Sequence, residues 1–397
     1  MIDKFLMTRK LLFCWIVLLI VSSCRERFEA EGNFKNENFL VVEGFINVGE
    51  GITRIKLSRV TGLNEPDELV SETEANVFIE DDDGSVYTLN NLNNGLYESE
   101  ELHLDANHNY RLRVESNEKV YLSAYTTPVI SPRTDSVGWT KGADNYINIH
   151  VNTHDPRNST FYYKWEYEEV WEVRSTYVSK WAYENGVSRV RPADEVRSMT
   201  YCWPNARNQD LILASSAQFA TDAITLFPLT RFYITDPRLG WRYSVIVKQR
   251  ALTLEEYEFL QIMKKNSSAL GSFFDGQPSQ MPGNMYSTST NETVVGFIGS
   301  YTSDLKQLII KRDEISDFSY TTPCYYEPAE AFLEDPLFQS YLSIYQTLEP
   351  IYGPSEDDAQ PIIGFSVARR ECADCRIFSG TAPKPPFWVE EDEGDVE

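Results

Sequence analysis

Phe39-Leu40-Val41-Val42-Glu43-Gly44-Phe45-Ile46 is a short, nearly continuous apolar run with turn residues close behind it, and its reading decides the fold. Runs of the same kind follow at 52–57, 75–79, 85–89, 110–114 and 120–125, each alternating or apolar throughout. Asp83-Gly84 and Asn94-Gly95 stand between runs, where a hairpin needs residues that tolerate positive φ. Closely spaced strands without a helical period predict an immunoglobulin-like or transthyretin-like sandwich over 39–126. The cluster Glu80-Asp81-Asp82-Asp83-Gly84 lacks the full spacing of a calcium loop and reads as a solvated hairpin tip.

Beyond Thr127-Pro128 and Ser131-Pro132, which break the pattern, strands resume and predict a larger β-rich domain over 127–388. In Phe161-Tyr162-Tyr163-Lys164-Trp165-Glu166-Tyr167, alternation puts Phe161, Tyr163, Trp165 and Tyr167 on one face. That face reads as core, with a sugar-stacking platform as the alternative. Two covering helices are expected. Thr253-Leu254-Glu255-Glu256 is a capping box that opens one near 253–266. Asp335-Pro336 opens the other near 335–348, which Pro350 stops. The chain as a whole is expected to be mainly β, with an acidic tail at 389–397.

Toward the N-terminus, Lys4, Arg9 and Lys10 precede an apolar run at 11–21 and then Val21-Ser22-Ser23-Cys24. The run is well short of the ~20 residues that span a bilayer, so 1–23 reads as a signal peptide. Small residues before a cysteine resemble a lipobox, which makes Cys24 the lipidated residue, 24–38 a tether, and membrane lipid the first partner. Acylation with more than one chain holds a protein to lipid durably. The other cysteines outside the signal peptide are Cys202, Cys324, Cys372 and Cys375. In an oxidising compartment they read as two disulfides. The expected pairing is a local staple between Cys372 and Cys375, with Cys202 joined to Cys324. Zinc and thioredoxin-like redox chemistry are the alternatives for the C-x-x-C pair.

The chain has 36 Lys and Arg against 60 Asp and Glu, a net charge of −24, which excludes nucleic acid as a natural partner. Its 397 residues are enough for more than one hydrophobic core. Motifs for an α/β-hydrolase elbow, a zincin, a Walker loop or a dinucleotide fold do not occur. His150 and His154 are spaced to share a face but read as a strand end, and Glu168 with Glu172 is one of many carboxylate pairs. No catalytic residue, metal or cofactor is expected. The loop from Phe273 to Met285 offers Phe273, Phe274, Met281 and Met285 on a Gly- and Pro-shaped backbone, and is the expected partner contact.

Several segments together resemble a known family. They are the lipobox, 40–46, Tyr162-Tyr163-Lys164-Trp165, 243–249 leading into Leu252-Thr253, Lys265-Asn266-Ser267 and 274–279. Gly283-Asn284, Val295-Gly296-Phe297, Cys372-Ala373-Asp374-Cys375-Arg376 and Lys384-Pro385-Pro386-Phe387-Trp388 complete the set. The chain resembles the Bacteroidota lipoproteins of the domain of unknown function numbered forty-two forty-nine. That resemblance implies an outer-membrane lipoprotein without assigned enzymatic activity, often encoded beside a TonB-dependent transporter, and makes outer-membrane lipid the partner of Cys24. Display at the cell surface is expected, although Arg25-Glu26-Arg27 matches the phylum's acidic export signal only in part. Asp135-Ser136-Val137 also resembles the phylum's short O-glycosylation motif. The function expected is that of a non-enzymatic accessory or ligand-binding partner of such a transporter or another outer-membrane barrel. A surface hydrolase or carbohydrate-binding enzyme using carboxylates of the larger domain is the alternative.

Overall fold

The computed structural model describes residues 38–61, 69–184, 187–268, 283–289, 292–318, 324, 326–329, 348–352, 365–378 and 383–388. Residues 1–37, which hold the expected signal peptide, Cys24 and most of the expected tether, lie outside them, as does the acidic stretch 389–397. The protein is mainly β. No helix among the described residues is long and apolar enough to cross a membrane.

The first unit is one curled sheet closed around a single core. From one edge its strands run Met285–Ser287, Lys119–Ser123, Tyr110–Ser116, Asn76–Asp81, Val86–Asn91, Leu96–Glu101, Ile52–Thr61, Asn38–Asn47 and Val294–Val295. Alternation selects the buried face: Leu40, Ile55, Leu57, Val77, Ile79 and Leu112 are fully buried. Tyr97, also buried, keeps its hydroxyl satisfied by donating to the Glu72 carbonyl at 2.9 Å and accepting from the Ala75 amide at 3.1 Å.

Both edge strands at the closure come from far along the chain. Met285–Ser287 pairs with Lys119–Ser123, while Val294–Val295 and Ser300–Tyr301 pair in parallel with Asn38–Asn47. A cut near 126 therefore leaves 285–301 on the wrong side, because this returning segment completes the first sheet. Asn284 holds the return: its side chain donates to the Ile298 carbonyl and accepts from the Ile298 amide, both at 2.8 Å. Gly283 lies directly against Gly296, and Gly296, at φ +155°, lies against Val42, leaving no room for a Cβ at either place.

The second unit is a sandwich. Thr134–Lys141, Tyr146–His154 and Ala223–Tyr233 form one sheet. In the other, Tyr162–Trp171 pairs with Asn205–Arg207 and Ile212–Ser215 on one side and with Arg242–Ala251 on the other, and Asp304–Lys311 lies beyond Arg242–Ala251. Tyr163 and Trp165 are fully buried between the sheets, with Tyr167 packed beside them, so the aromatic face is core. Trp165 stacks on Phe227 at 4.9 Å and donates from Nε1 to Gln249 at 2.9 Å. The Gln249 amide donates in turn to Pro132 and Thr153, so the Trp165 indole and the Gln249 side chain are paired inside this core.

Helix Leu254–Ser268 forms where the capping residues place it. Thr253 Oγ1 accepts from the Glu256 amide at 3.2 Å. Glu256 departs from the capping box: it is buried, and its carboxylate takes the Tyr301 hydroxyl instead. Burial pushes both groups above their ordinary pKa values, with the neighbouring Glu256 charge adding to the effect at Tyr301. The helix predicted over 335–348 lies outside the described residues except for Leu348, which opens strand Leu348–Tyr352. That strand joins Tyr326–Ala329 and Phe365–Arg369 in a small C-terminal sheet.

The four cysteines among the described residues are in disulfides, but the pairing differs from expectation. Cys202 joins Cys375 and Cys324 joins Cys372, with Cα separations of 5.9 and 5.7 Å. The bridges are nested in sequence. Cys372 belongs to helix Arg370–Ala373 and Cys375 opens the turn Cys375–Ile377, with extended Asp374 between them. The change of backbone direction at Asp374 gives each sulfur a different neighbour, so the spacing that suggested a local staple serves two long-range links.

Candidate functional site

A concavity opens where the second sandwich meets the C-terminal segment. A groove of about 990 Å³ is lined among others by Trp171, Arg174, Tyr201, Arg238, Trp241 and Phe378. It adjoins a lobe of about 420 Å³ that shares Glu172, Arg174, Trp241 and Arg312 and adds Arg242 and Lys311. Trp241 is the aromatic centre, 41% exposed, with the Arg174 guanidinium 4.1 Å and the Arg312 guanidinium 5.8 Å from its ring. Arg174 also lies 5.3 Å from the Tyr201 ring, and Arg312 lies 5.2 Å from Phe318.

Short elements fix these side chains. Val173–Arg174 pairs with Tyr201–Cys202, and the Cys202–Cys375 bridge ties that ladder to the turn that carries Phe378. The Arg312 amide donates to the Trp241 carbonyl at 3.0 Å, joining the lobe's central cation to its central ring. Asp236 caps the turn Pro237–Leu239 and grips Arg238 through Nε and Nη2 at 3.0 and 2.9 Å. Burial alone would raise the Asp236 carboxyl; the Arg238 hydrogen bonds and charge hold it below its usual value. Buried Glu172 accepts from Arg174 and, at 3.0 Å, from Trp388 Nε1. Exposed aromatic and guanidinium surface on a cross-linked frame suits recognition of a ligand or a protein surface.

Of the expected contact residues, Phe273, Phe274 and Met281 lie outside the described residues. Met285 is described and overturns its assignment: it is 6% exposed, inside the first core, because strand Met285–Ser287 closes that sheet. His150 and His154 do not converge on a shared ligand. His154 bonds Asp135 at 2.8 Å, which raises its pKa, and His150 stands across from Gly138. Glu168 is exposed and paired with Arg207 at 2.8 Å, whereas Glu172 is buried, so these carboxylates do not work as a pair. At the acidic hairpin, Asp81 accepts from the amides of Asp83 and Ser85. Asp82, Asp83 and His108 gather within 4.8 Å of one another on the surface.

The sequence reading passed over the groove. Trp241 was visible only as the start of a strand, and Arg174 and Arg312 carried no motif. A Trp-Arg pair opening a strand whose next residues are core is a weak signal that one aromatic stays outside.

Fold and site together define a β protein of two packed units with a disulfide-braced aromatic and cationic groove. The chain belongs to the family described as Domain of unknown function (DUF4249), whose model matches residues 25–307. Lys311, Arg312, Phe378 and both cysteines of the Cys372-Ala373-Asp374-Cys375 motif lie beyond that span. No curated protein matches the chain. Among solved structures, a two-domain fibronectin type-III segment from chicken tenascin is similar at 12% identity and a TM-score of 0.16, covering 54% of this chain and 91% of that one. A DUF4785 family protein from Legionella pneumophila subsp. pneumophila str. Philadelphia 1 is similar at 10% identity and a TM-score of 0.19, covering 53% of this chain and 52% of that one.

Proposed function

We propose that this protein is a non-enzymatic lipoprotein, held at the outer membrane through lipid on Cys24 and displayed at the cell surface. There it acts as an accessory or ligand-binding partner of a TonB-dependent transporter or another outer-membrane barrel, and the groove around Trp241 is its recognition surface. The observation that carries this reading is the groove itself: an exposed tryptophan attended by Arg174 and Arg312 on a frame locked by the Cys202–Cys375 bridge. Aromatic and arginine side chains dominate the energetics of protein recognition, and a fixed frame lowers the entropy lost on binding. Two disulfides suit an exported chain, as does the n-region, apolar run and cysteine at the start of the sequence.

Gentle detergent extraction of a tagged copy, followed by identification of what copurifies, tests the proposal. Trp241→Ala should lower recovery of the partner by about tenfold, the loss expected of one interface anchor worth ~1.4 kcal/mol or more. Near-ultraviolet circular dichroism should show the fold retained. Cys24→Ala should remove the protein from the membrane fraction or leave its precursor unprocessed. Undiminished copurification by folded Trp241→Ala, or hydrolysis of a glycan or peptide by the purified protein, would sink the reading.

A further inference from the structure

We infer that the joint between the two units is a clasp controlled by one proton: it stays dry and closed while Glu256 is protonated, and it opens to water as Glu256 ionises.

The joint is a small core of its own. Phe45, Phe297 and Tyr301 of the first unit meet Leu252, Phe259 and Leu260 of the second there. Backbone bonds run along its edge, from the Val48 amide to the Tyr301 carbonyl and from the Val129 amide to the Ser300 carbonyl, both at 2.9 Å. Apolar packing is the main attraction across such a contact, and a charge inside it is costly unless it is paired.

Glu256 enters that core from helix Leu254–Ser268. It is 4% exposed, and its carboxylate accepts a hydrogen bond across the joint from the Tyr301 hydroxyl. The charged groups that bear on it belong to the second unit: Arg250 on Arg242–Ala251, with Lys164 and Glu166 on Tyr162–Trp171. Both cations turn to Glu166 instead, Lys164 at 2.7 Å and Arg250 at 3.7 Å. Lys248, on the same strand as Arg250, lies 5.0 Å from the Phe45 ring. None of these cations forms an ion pair with Glu256 among the described residues. Burial therefore dominates and holds the Glu256 carboxyl above its ordinary range, although Arg250, the Tyr301 hydrogen bond and Lys164 all pull the other way.

Arg250 adds a second cost to closure. Its side chain is 5% exposed, its guanidinium lies 4.0 Å from the Phe45 ring, and its Nη1 is shut off from water without a hydrogen-bond partner. A buried donor left unmade favours any opening that admits water.

The chemistry sets the direction. A neutral Glu256 can stay buried, whereas an ionised one is better solvated by water, which reaches it when the joint opens locally. The same water satisfies Arg250 Nη1. Because the carboxyl is raised in the closed joint, the stability it lends is complete below its unfolded pKa, ~4.3, and is lost as pH rises through the closed-state value. Glu166 behaves oppositely: burial would raise its carboxyl, but Arg250 and Lys164 hold it down to about 2, so its pairs persist throughout mildly acidic and neutral solution. One proton at Glu256 thus biases the joint and leaves both flanking cores alone.

Amide hydrogen exchange of the purified full chain, corrected for the intrinsic pH dependence of exchange, tests the clasp. Protection of peptides covering 44–48, 127–130 and 298–303 should fall about fivefold or more between about pH 5 and about pH 9, while Tyr110–Ser116 and Tyr146–His154 change by less than about twofold. In Glu256→Gln, which carries a neutral side chain at every pH, the joint should stay protected over the whole range. Joint protection that is flat or rises with pH in the natural chain, or a fall that persists in folded Glu256→Gln, overturns the inference. Should Glu256→Gln fail to fold, Tyr301→Phe decides. Without the hydroxyl that favours the ionised form, the fall should move to higher pH, and a fall at unchanged pH overturns the inference as well.

Discussion

Strand Tyr110–Ser116 buries every second residue along its whole length, and its neighbour Asn76–Asp81 does the same over most of its own. The walls of the groove are built otherwise: Val173–Arg174 and Tyr201–Cys202 are two residues each, and the turn beyond them is held by a disulfide. In the first region each residue repeats a local rule, and burial of alternate side chains both stabilises the sheet and fixes its register. In the second, a few covalent and ionic links do that work, each joining residues far apart in sequence. A core of the first kind tolerates the loss of one contact in proportion to its area. A frame of the second kind depends on single residues.

This difference also sets what could be read in advance. Six strands of 39–125, the aromatic face of Tyr163 and Trp165, and helix Leu254–Ser268 were legible because period 2, period 3.6 and a cap are local patterns, whereas Leu69–Ser71 and the polar Leu96–Glu101 were not. Strands Met285–Ser287 and Val294–Val295 were not, since two or three residues carry no period and their partners lie far back along the chain. The same holds for the disulfides, where sequence spacing favoured Cys372 with Cys375 and the turn at Asp374 sent each elsewhere. Three stretches singled out by family resemblance acquire a physical reason. Gly283-Asn284 and Val295-Gly296-Phe297 hold the segment that closes the first sheet. Cys372-Ala373-Asp374-Cys375-Arg376 anchors the groove's frame.

The largest effect is expected from the core itself. Trp165→Ala should destabilise the second sandwich by ~3 to 5 kcal/mol, combining lost burial with a cavity. It also strands the Gln249 carbonyl that accepts the indole N–H. Denaturant unfolding monitored by circular dichroism measures this. A loss under about 1 kcal/mol, the scale of a surface change, would show that the aromatic face is not the core it looks to be.

Next comes the frame. Replacing Cys202 and Cys375 together by Ser should cost roughly 2 to 4 kcal/mol through the freed unfolded chain. The effect should be uneven: amide exchange ought to rise around 173–176, 200–203 and 375–378 while Tyr110–Ser116 stays protected. Non-reducing peptide mapping of the natural chain must first find Cys202 with Cys375 and Cys324 with Cys372. Recovery of a Cys372–Cys375 staple, or exchange rising equally in both regions, would erase the contrast between them.

The smallest expected effect probes the residue between the two bridges. Asp374 is fully buried, and its carboxylate accepts from Arg376 at 2.7 and 2.9 Å, from the Arg376 amide at 3.1 Å, and from Arg370 at 3.4 Å. Burial by itself would raise its pKa, but the Arg376 hydrogen bonds and the two guanidinium charges outweigh that and hold it below the ordinary carboxylate value. A carboxyl depressed in the folded state contributes stability that is present above its unfolded pKa, ~3.9, and is lost as pH falls through the folded value. Asp374→Asn should therefore cost ~1 to 3 kcal/mol at neutral pH, the range for a buried hydrogen bond to a charged group. The difference between natural chain and variant should shrink as the solution is acidified below about pH 4. Because the bridges on either side remain closed in the variant, the loss should appear as increased exchange near Arg376 rather than as unfolding of the frame. A variant gap that stays constant down to strongly acidic solution would mean that the Asp374 charge contributes nothing and that the disulfides alone hold this corner.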